Sequence, residues 1–223
     1  MDELRRRHVA AVEWAAGGKG APVVVAAADL LAAGVDARTV VLVEGLSDQV
    51  ALEALARRRG HDLGAEGVAV VPIGGATTIG RFLTVFGPAG LDVELAGLCD
   101  AAEERTFRRG LERAGRGGDL TRAEMERLGF YVCEADLEDE LIRSLGATTV
   151  EGIVEVEGEL GSFRTFQKQP AQQGRAIEAQ LRRFMGTRAG RKIHYARLLV
   201  DALDLTRVPR PLEGLLAHVT AGA

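Results

Sequence analysis

Residues 39–60 read TVVLVEGLSDQVALEALARRRG. Val40 to Val43 form an unbroken apolar run that stops at Glu44; Gly45 turns the chain, and Ser47 and Asp48 lead into an amphipathic segment with Val50, Leu52 and Leu55 expected inward. This pattern predicts a buried strand, a tight turn and an amphipathic helix. A carboxylate at the C-terminal end of a buried strand in an α/β sheet stands where such sheets place their ligand sites. Asp48, one helical turn further on, points toward the same crevice. The same residues also suit a purely structural reading, with Glu44 as the first exposed residue after a strand, Ser47 as the N-cap and Asp48 as a favourable charge at a helix start.

The strand–turn–helix unit repeats outward from this stretch. Gly67 to Ile73 is a second apolar run, followed by GGATTIGRFLTVFG, in which Gly74 and Gly75 serve a tight turn or let backbone amides approach an anion. A third run from Val93 ends in LAGLCD at Asp100, and a fourth spans Gly129 to Glu134, with a helix starting near Asp136. Strands alternating with helices at this spacing predict a parallel sheet with helices on both faces. Residues 103–128 read as two helix pieces joined by a polar turn. Upstream, residues 2–16 and 22–33 have helical periodicity, and Trp14 suits packing on the body. Downstream, helices are expected over 148–160, 172–186, 190–204 and 211–219. The expected organisation is therefore an N-terminal helical segment (1–37), an α/β domain (38–147) and a C-terminal helical basic region (148–223).

Several classes are set aside by composition. No stretch approaches 18 consecutive apolar residues and the first residues lack the pattern of a signal peptide, so a cytoplasmic location without membrane contact is expected. The GGKGAP stretch lacks the first glycine and the Ser or Thr of a P-loop. Cys99 and Cys133 sit in apolar runs without zinc-type spacing and read as reduced core residues. His8, His61, His194 and His218 are scattered without ligand spacing, and Ser47 has no histidine partner in local register.

Charge divides the chain. Residues 1–160 hold 17 Lys and Arg against 28 Asp and Glu, whereas residues 161–223 hold 11 against 4. Acids gather at strand ends: Glu44 with Asp48, Asp100 with Glu103, and Glu134 followed by Asp136 and Glu138. In a parallel sheet those ends share one edge, and like charges about 4 Å apart repel by roughly 4 kcal/mol at an effective dielectric near 20. Such a cluster calls for protons or cations. Hard oxygen donors without His or Cys favour Mg2+ or Mn2+, and with a basic surface nearby they point to phosphodiester or phosphoryl chemistry.

EGLSD at one strand end and LCD at a later one resemble the TOPRIM domain of topoisomerases, primases and related nucleases, and more closely the TOPRIM portion of the OLD family of nucleases. The resemblance spans roughly residues 38–200 and implies a TOPRIM-like α/β fold. It implies metal binding by Glu44 and Asp48 and by Asp100, the first acid of an Asp-x-Asp whose second position is Ala102 here. Glu103 is the candidate for the missing oxygen. Asp136-Leu137-Glu138 is similar to the family's later acidic element, with Glu138 as ligand, and Lys192 in GRKIHYARLL matches its catalytic lysine. In that family an ATPase usually precedes this portion; no ATPase motif occurs in these 223 residues, so a separate ATPase partner is one expectation.

Gly161 to Leu198 carries nine Lys and Arg (Arg164, Lys168, Arg175, Arg182, Arg183, Arg188, Arg191, Lys192 and Arg197) and one acid, Glu178. With Phe163, Phe166, Gln167, Gln169, Gln172 and Gln173 interleaved, it suits phosphate-backbone contact through its arginines, whereas the phenylalanines suit the core. The leading expectation is a Mg2+- or Mn2+-dependent DNA nuclease, with Glu44 and Lys192 catalytic. The alternatives are a non-catalytic nucleic-acid- or partner-binding module and a phosphohydrolase or nucleotidyl transferase acting on a small nucleotide. A homo-oligomer is compatible with each.

Overall fold

A computed structural model of the protein describes residues 37–188 and 190–221. The expected N-terminal helices and Trp14 lie outside the described residues. Among the described residues, four strands form one parallel sheet in the order β2-β1-β3-β4: β1 (Thr39–Val43), β2 (Val68–Pro72), β3 (Glu94–Cys99) and β4 (Phe130–Val132). Thr39 pairs with Val68 on one side and Glu94 on the other, so β1 is central. All five of its residues are buried, because both faces of a parallel strand are covered by crossover helices. Val41 and Val43 join one core, and Val40 and Leu42 the other. Gly97, in the middle of β3, is required by close approach: a Cβ there would lie 2.8 Å from the Leu42 carbonyl oxygen and 2.8 Å from the Phe130 ring.

α1 (Leu46–Arg58) follows β1 and buries Ala51, Leu52, Leu55 and Ala56. Its N-cap is Gly45 rather than the expected Ser47, which is buried inside the first turn. After β2, the backbone turns through Gly74 (φ 69°) and Gly75 (φ 111°) into α2 (Ile79–Phe86). The glycines thus serve the turn geometry, and the Gly75 amide donates to the Glu44 carbonyl (3.2 Å). The 103–128 excursion is α3 (Glu104–Arg113) and α4 (Arg122–Arg127), the latter opened by a Thr121–Glu124 capping box.

Six helices follow β4: α5 (Leu137–Leu145), α6 (Ala147–Val156), α7 (Leu160–Gln167), α8 (Ile177–Met185), α9 (Arg191–Ala202) and α10 (Arg210–Thr220). The helix expected over 148–160 stops earlier, and Gly158 (φ 70°) turns the chain into α7, where no helix was expected. The helix expected from 172 begins at Ile177, after a 3-10 turn over Pro170–Gln172. Apolar side chains of these helices (Phe163, Phe184, Tyr195, Leu199 and Leu215 among them) share one core with α1 and the Val41 face of the sheet. α9 is fixed along α1 through Arg58, whose Nη1 donates to the Val200 and Leu203 carbonyls (both 2.7 Å), satisfying acceptors at the α9 C-terminus. Among the described residues, no helix is long and apolar enough to cross a membrane.

Candidate active site

Parallel pairing puts the C-terminal ends of β1, β3 and β4 on one edge, and the acids that follow each strand come together there. The Asp100 amide donates to Glu44 Oε1 (2.9 Å), which links the ends of the two central strands. Asp48 is buried, and its Oδ2 accepts from the Gly45 amide (2.9 Å), so one carboxylate both closes the α1 cap and faces the site. Asp136 is the N-cap of α5: Oδ1 accepts from the Asp139 amide (2.9 Å), and Oδ2 accepts from Arg182 Nε (2.6 Å). Glu138, in the first turn of α5, is 2 % exposed; its Oε2 lies 3.0 Å from Lys192 Nζ, while its Oε1 is buried with no hydrogen-bond partner.

The electrostatics follow from this crowding. Burial, and then the charge of Glu138, push the Asp48 carboxyl up to about 7. Burial, followed by Glu44, Asp136 and Asp48, pushes Asp100 up to about 8. Glu44 is raised by burial against the pull of the Asp100 amide, and Glu103 adds to the rise from nearby. Glu138 is raised by burial in spite of Lys192. For Lys192, burial acts to lower the pKa, but Glu138 and then Asp48 and Asp136 outweigh it and hold the ammonium above its usual range. Lys192 is thus the cation at the centre of an excess of carboxylates.

Among the described residues, no three His, Cys, Asp or Glu side chains converge closely enough to hold one ion. The four acids feel one another's charge without forming a closed ligand cage. Their chemistry nevertheless fits a hard divalent cation: every donor is a carboxylate oxygen, one of them orphaned and buried on Glu138. Ala102 is exposed and contributes no oxygen, and Glu103, the N-cap of α3, is half-buried beside Glu44. Glu134 turns outward to Arg143 (3.2 Å) and leaves the cluster. His61 and His194 face Glu66 and Glu157, away from the acids, and burial pushes both cysteine thiols up, which suits a core role.

Residues 37–101 match the family described as overcoming lysogenization defect protein-like, TOPRIM domain. The chain carries an OLD-like TOPRIM domain. The matched span of this TOPRIM domain takes in Glu44, Asp48 and Asp100, whereas Glu138 and Lys192 lie beyond it and enter the site through the fold. The structure is similar to the C-terminal region of the OLD protein of Xanthomonas campestris pv. campestris (TM-score 0.67, 24% identity, 83% of this chain and 93% of that one). It is also similar to the C-terminal region of the Burkholderia pseudomallei OLD protein (TM-score 0.65, 20% identity, 83% and 98%). At these identities the likeness is one of fold. No curated protein matches the chain.

The basic set divides. Lys168, Arg175, Arg183 and Arg188 are exposed; so is Arg164, which also pairs with Glu151 (2.7 Å). Arg182 is exposed but reaches the site through Asp136, a contact across 46 residues that no local pattern announces. Arg191, expected among the phosphate contacts, is buried: its Cζ lies 4.1 Å from the Phe184 ring centroid and its Nη2 donates to Glu159 Oε1 (2.7 Å). Phe163 and Phe166 pack against the same ring, with centroids at 5.1 and 5.6 Å, so they belong to the core rather than to a stacking surface.

Proposed function

We propose that this chain is a Mg2+- or Mn2+-dependent nuclease that hydrolyses phosphodiester bonds in DNA. The observation that carries the reading is the gathering of Glu44, Asp48, Asp100 and Glu138 at one sheet edge around a single ammonium, Lys192, with burial raising the pKa of each carboxyl. Membership of the TOPRIM domain in a family of nuclease domains supports it. Those four carboxylates would hold the ion, with Glu103 beside them. When bound, the ion supplies an activated water and offsets negative charge on the phosphate. Glu44 is half-buried and has a raised pKa, which suits it to take the proton of the attacking water. Lys192 Nζ, once turned from Glu138 toward the substrate, neutralises charge on the non-bridging oxygens. The exposed Lys168, Arg175, Arg183 and Arg188 would contact flanking phosphates.

A plasmid-nicking assay in EDTA, Mg2+, Mn2+ and Ca2+, run beside Glu44→Ala, tests this. Cleavage confined to Mg2+ or Mn2+ and abolished by the substitution is expected. The exposed Ala102, which leaves the second acidic position without an oxygen, favours a second reading, a DNA- or partner-binding module. Salt-sensitive DNA binding without cleavage in any metal, with or without an added ATPase partner, would establish that reading instead.

A further inference from the structure

Arg191 and Lys192 open α9, where two cations oppose the helix dipole. Gly190, in the left-handed region (φ 82°), offers no side-chain cap. Each cation is answered by an acid from another element: Lys192 by Glu138 on α5 (3.0 Å), and Arg191 by Glu159 at the start of α7 (2.7 Å). Arg191 makes more than this pair. Its Nη1 donates to the Phe184 carbonyl (3.1 Å) and to Thr187 Oγ1 (2.6 Å), and its plane covers the Phe184 ring. The other oxygen of Glu159 accepts from Tyr195 OH (3.0 Å), one turn further along α9.

We propose that Arg191 is a positioning residue, which ties the uncapped first turn of α9 to α7 and α8 and thereby holds Lys192 against the carboxylate cluster. The inference rests on the reading of Lys192 as the charge-stabilising group. A planar fork that reaches acceptors on two separate segments is a task for arginine, and an ammonium cannot replace it. The alternative, a phosphate contact, conflicts with the burial of Arg191 (7 % exposed) and with the engagement of its guanidinium by protein acceptors.

The chain has only three lysines, Lys19, Lys168 and Lys192, so protein labelled with 13C-lysine gives few Cε–Hε signals and Lys192→Arg identifies the one of interest. In the unmodified protein the Lys192 signal should stand apart from that of exposed Lys168. Arg191→Gln and Arg191→Lys should each move it toward the Lys168 position while leaving Lys168 unchanged. Glu159→Gln, which removes only the partner's charge, should do the same and serves if the Arg191 variants fail to fold. In DNA cleavage, kcat should fall on the order of 10²-fold, the scale expected when a reacting group is misplaced by about an ångström. KM and the salt dependence of DNA binding should stay unchanged. A Lys192 signal that does not move overturns the proposal, as does a raised KM with a salt slope reduced by about one, which marks a lost phosphate contact. If the unmodified protein cleaves nothing in any metal, with or without an added ATPase partner, the nuclease reading fails, and the Lys192 signal still decides whether the clamp exists.

Discussion

Replacing Lys192 by methionine keeps the side chain's length and removes its charge, and the consequence depends on Glu138. That carboxylate's side chain is 3 % exposed, its Oε1 has no hydrogen-bond partner, and Lys192 Nζ at 3.0 Å is its only ion-pair partner among the described residues. Breaking a fully buried pair by removing one partner costs about 3–5 kcal/mol, and an exposed pair is worth about 0–1 kcal/mol. The Lys192 side chain is 43 % exposed, so solvent screening places the expected loss between these limits, at about 1–3 kcal/mol. It should depend on pH. Burial raises the Glu138 pKa, so protonation relieves the uncompensated buried charge as pH falls, and the loss should be smaller at about pH 5 than at about pH 8. Urea denaturation of Lys192→Met at the two pH values measures both losses. Adding Glu138→Gln should restore most of the stability at the higher pH. An equal loss at both pH values, or no recovery in the double variant, would refute the coupling of this pair.

Three further outcomes follow from the same geometry. Asp48 and Asp100 have folded-state pKa values of about 7 and about 8, above their unfolded values, so the folded protein binds more protons between about pH 4 and 8 and loses stability as pH rises through that window. Because a cation competes with those protons, the rise in Tm on adding Mg2+, followed by differential scanning fluorimetry, should be larger at about pH 8 than at about pH 5; a rise independent of pH would count against these acids as the ligands. Ala102→Asp places a carboxylate on an exposed position two residues after Asp100 and should tighten Mn2+ binding in calorimetry; unchanged affinity would mean that position 102 faces away from the ion. Phe184→Ala removes the ring shared by Phe163, Phe166 and Arg191 and should cost about 3–5 kcal/mol in urea denaturation, and a loss under about 1 kcal/mol would show that the three helices do not depend on it.

Much of the fold was legible because its signals are local. The run Val40–Val43 and its recurrence at Val68, Leu95 and Phe130 mark buried strands, and an unbroken apolar strand needs helices on both sides. From there the shared edge for Glu44 and Asp100 follows by topology. Segments after residue 148 are less legible, since Gly158 and Gly161 interrupt the periodicity on which a helix boundary depends and the short α7 has only Phe163 and Phe166 buried to mark it.

The sequence by itself determined the strand–turn–helix order, the acids that end the strands and the basic character of the C-terminal third, all properties of neighbours along the chain. Only the tertiary structure decided which charges meet. It paired Lys192 with Glu138 across 54 residues and Arg182 with Asp136 across 46, and it turned Glu134 away to Arg143. It also took Arg191 out of the solvent-facing set and placed it over Phe184. The physical reason is that a charged side chain's role depends on its burial and on the nearest opposite charge, and both arise only when helices distant in sequence pack against one another.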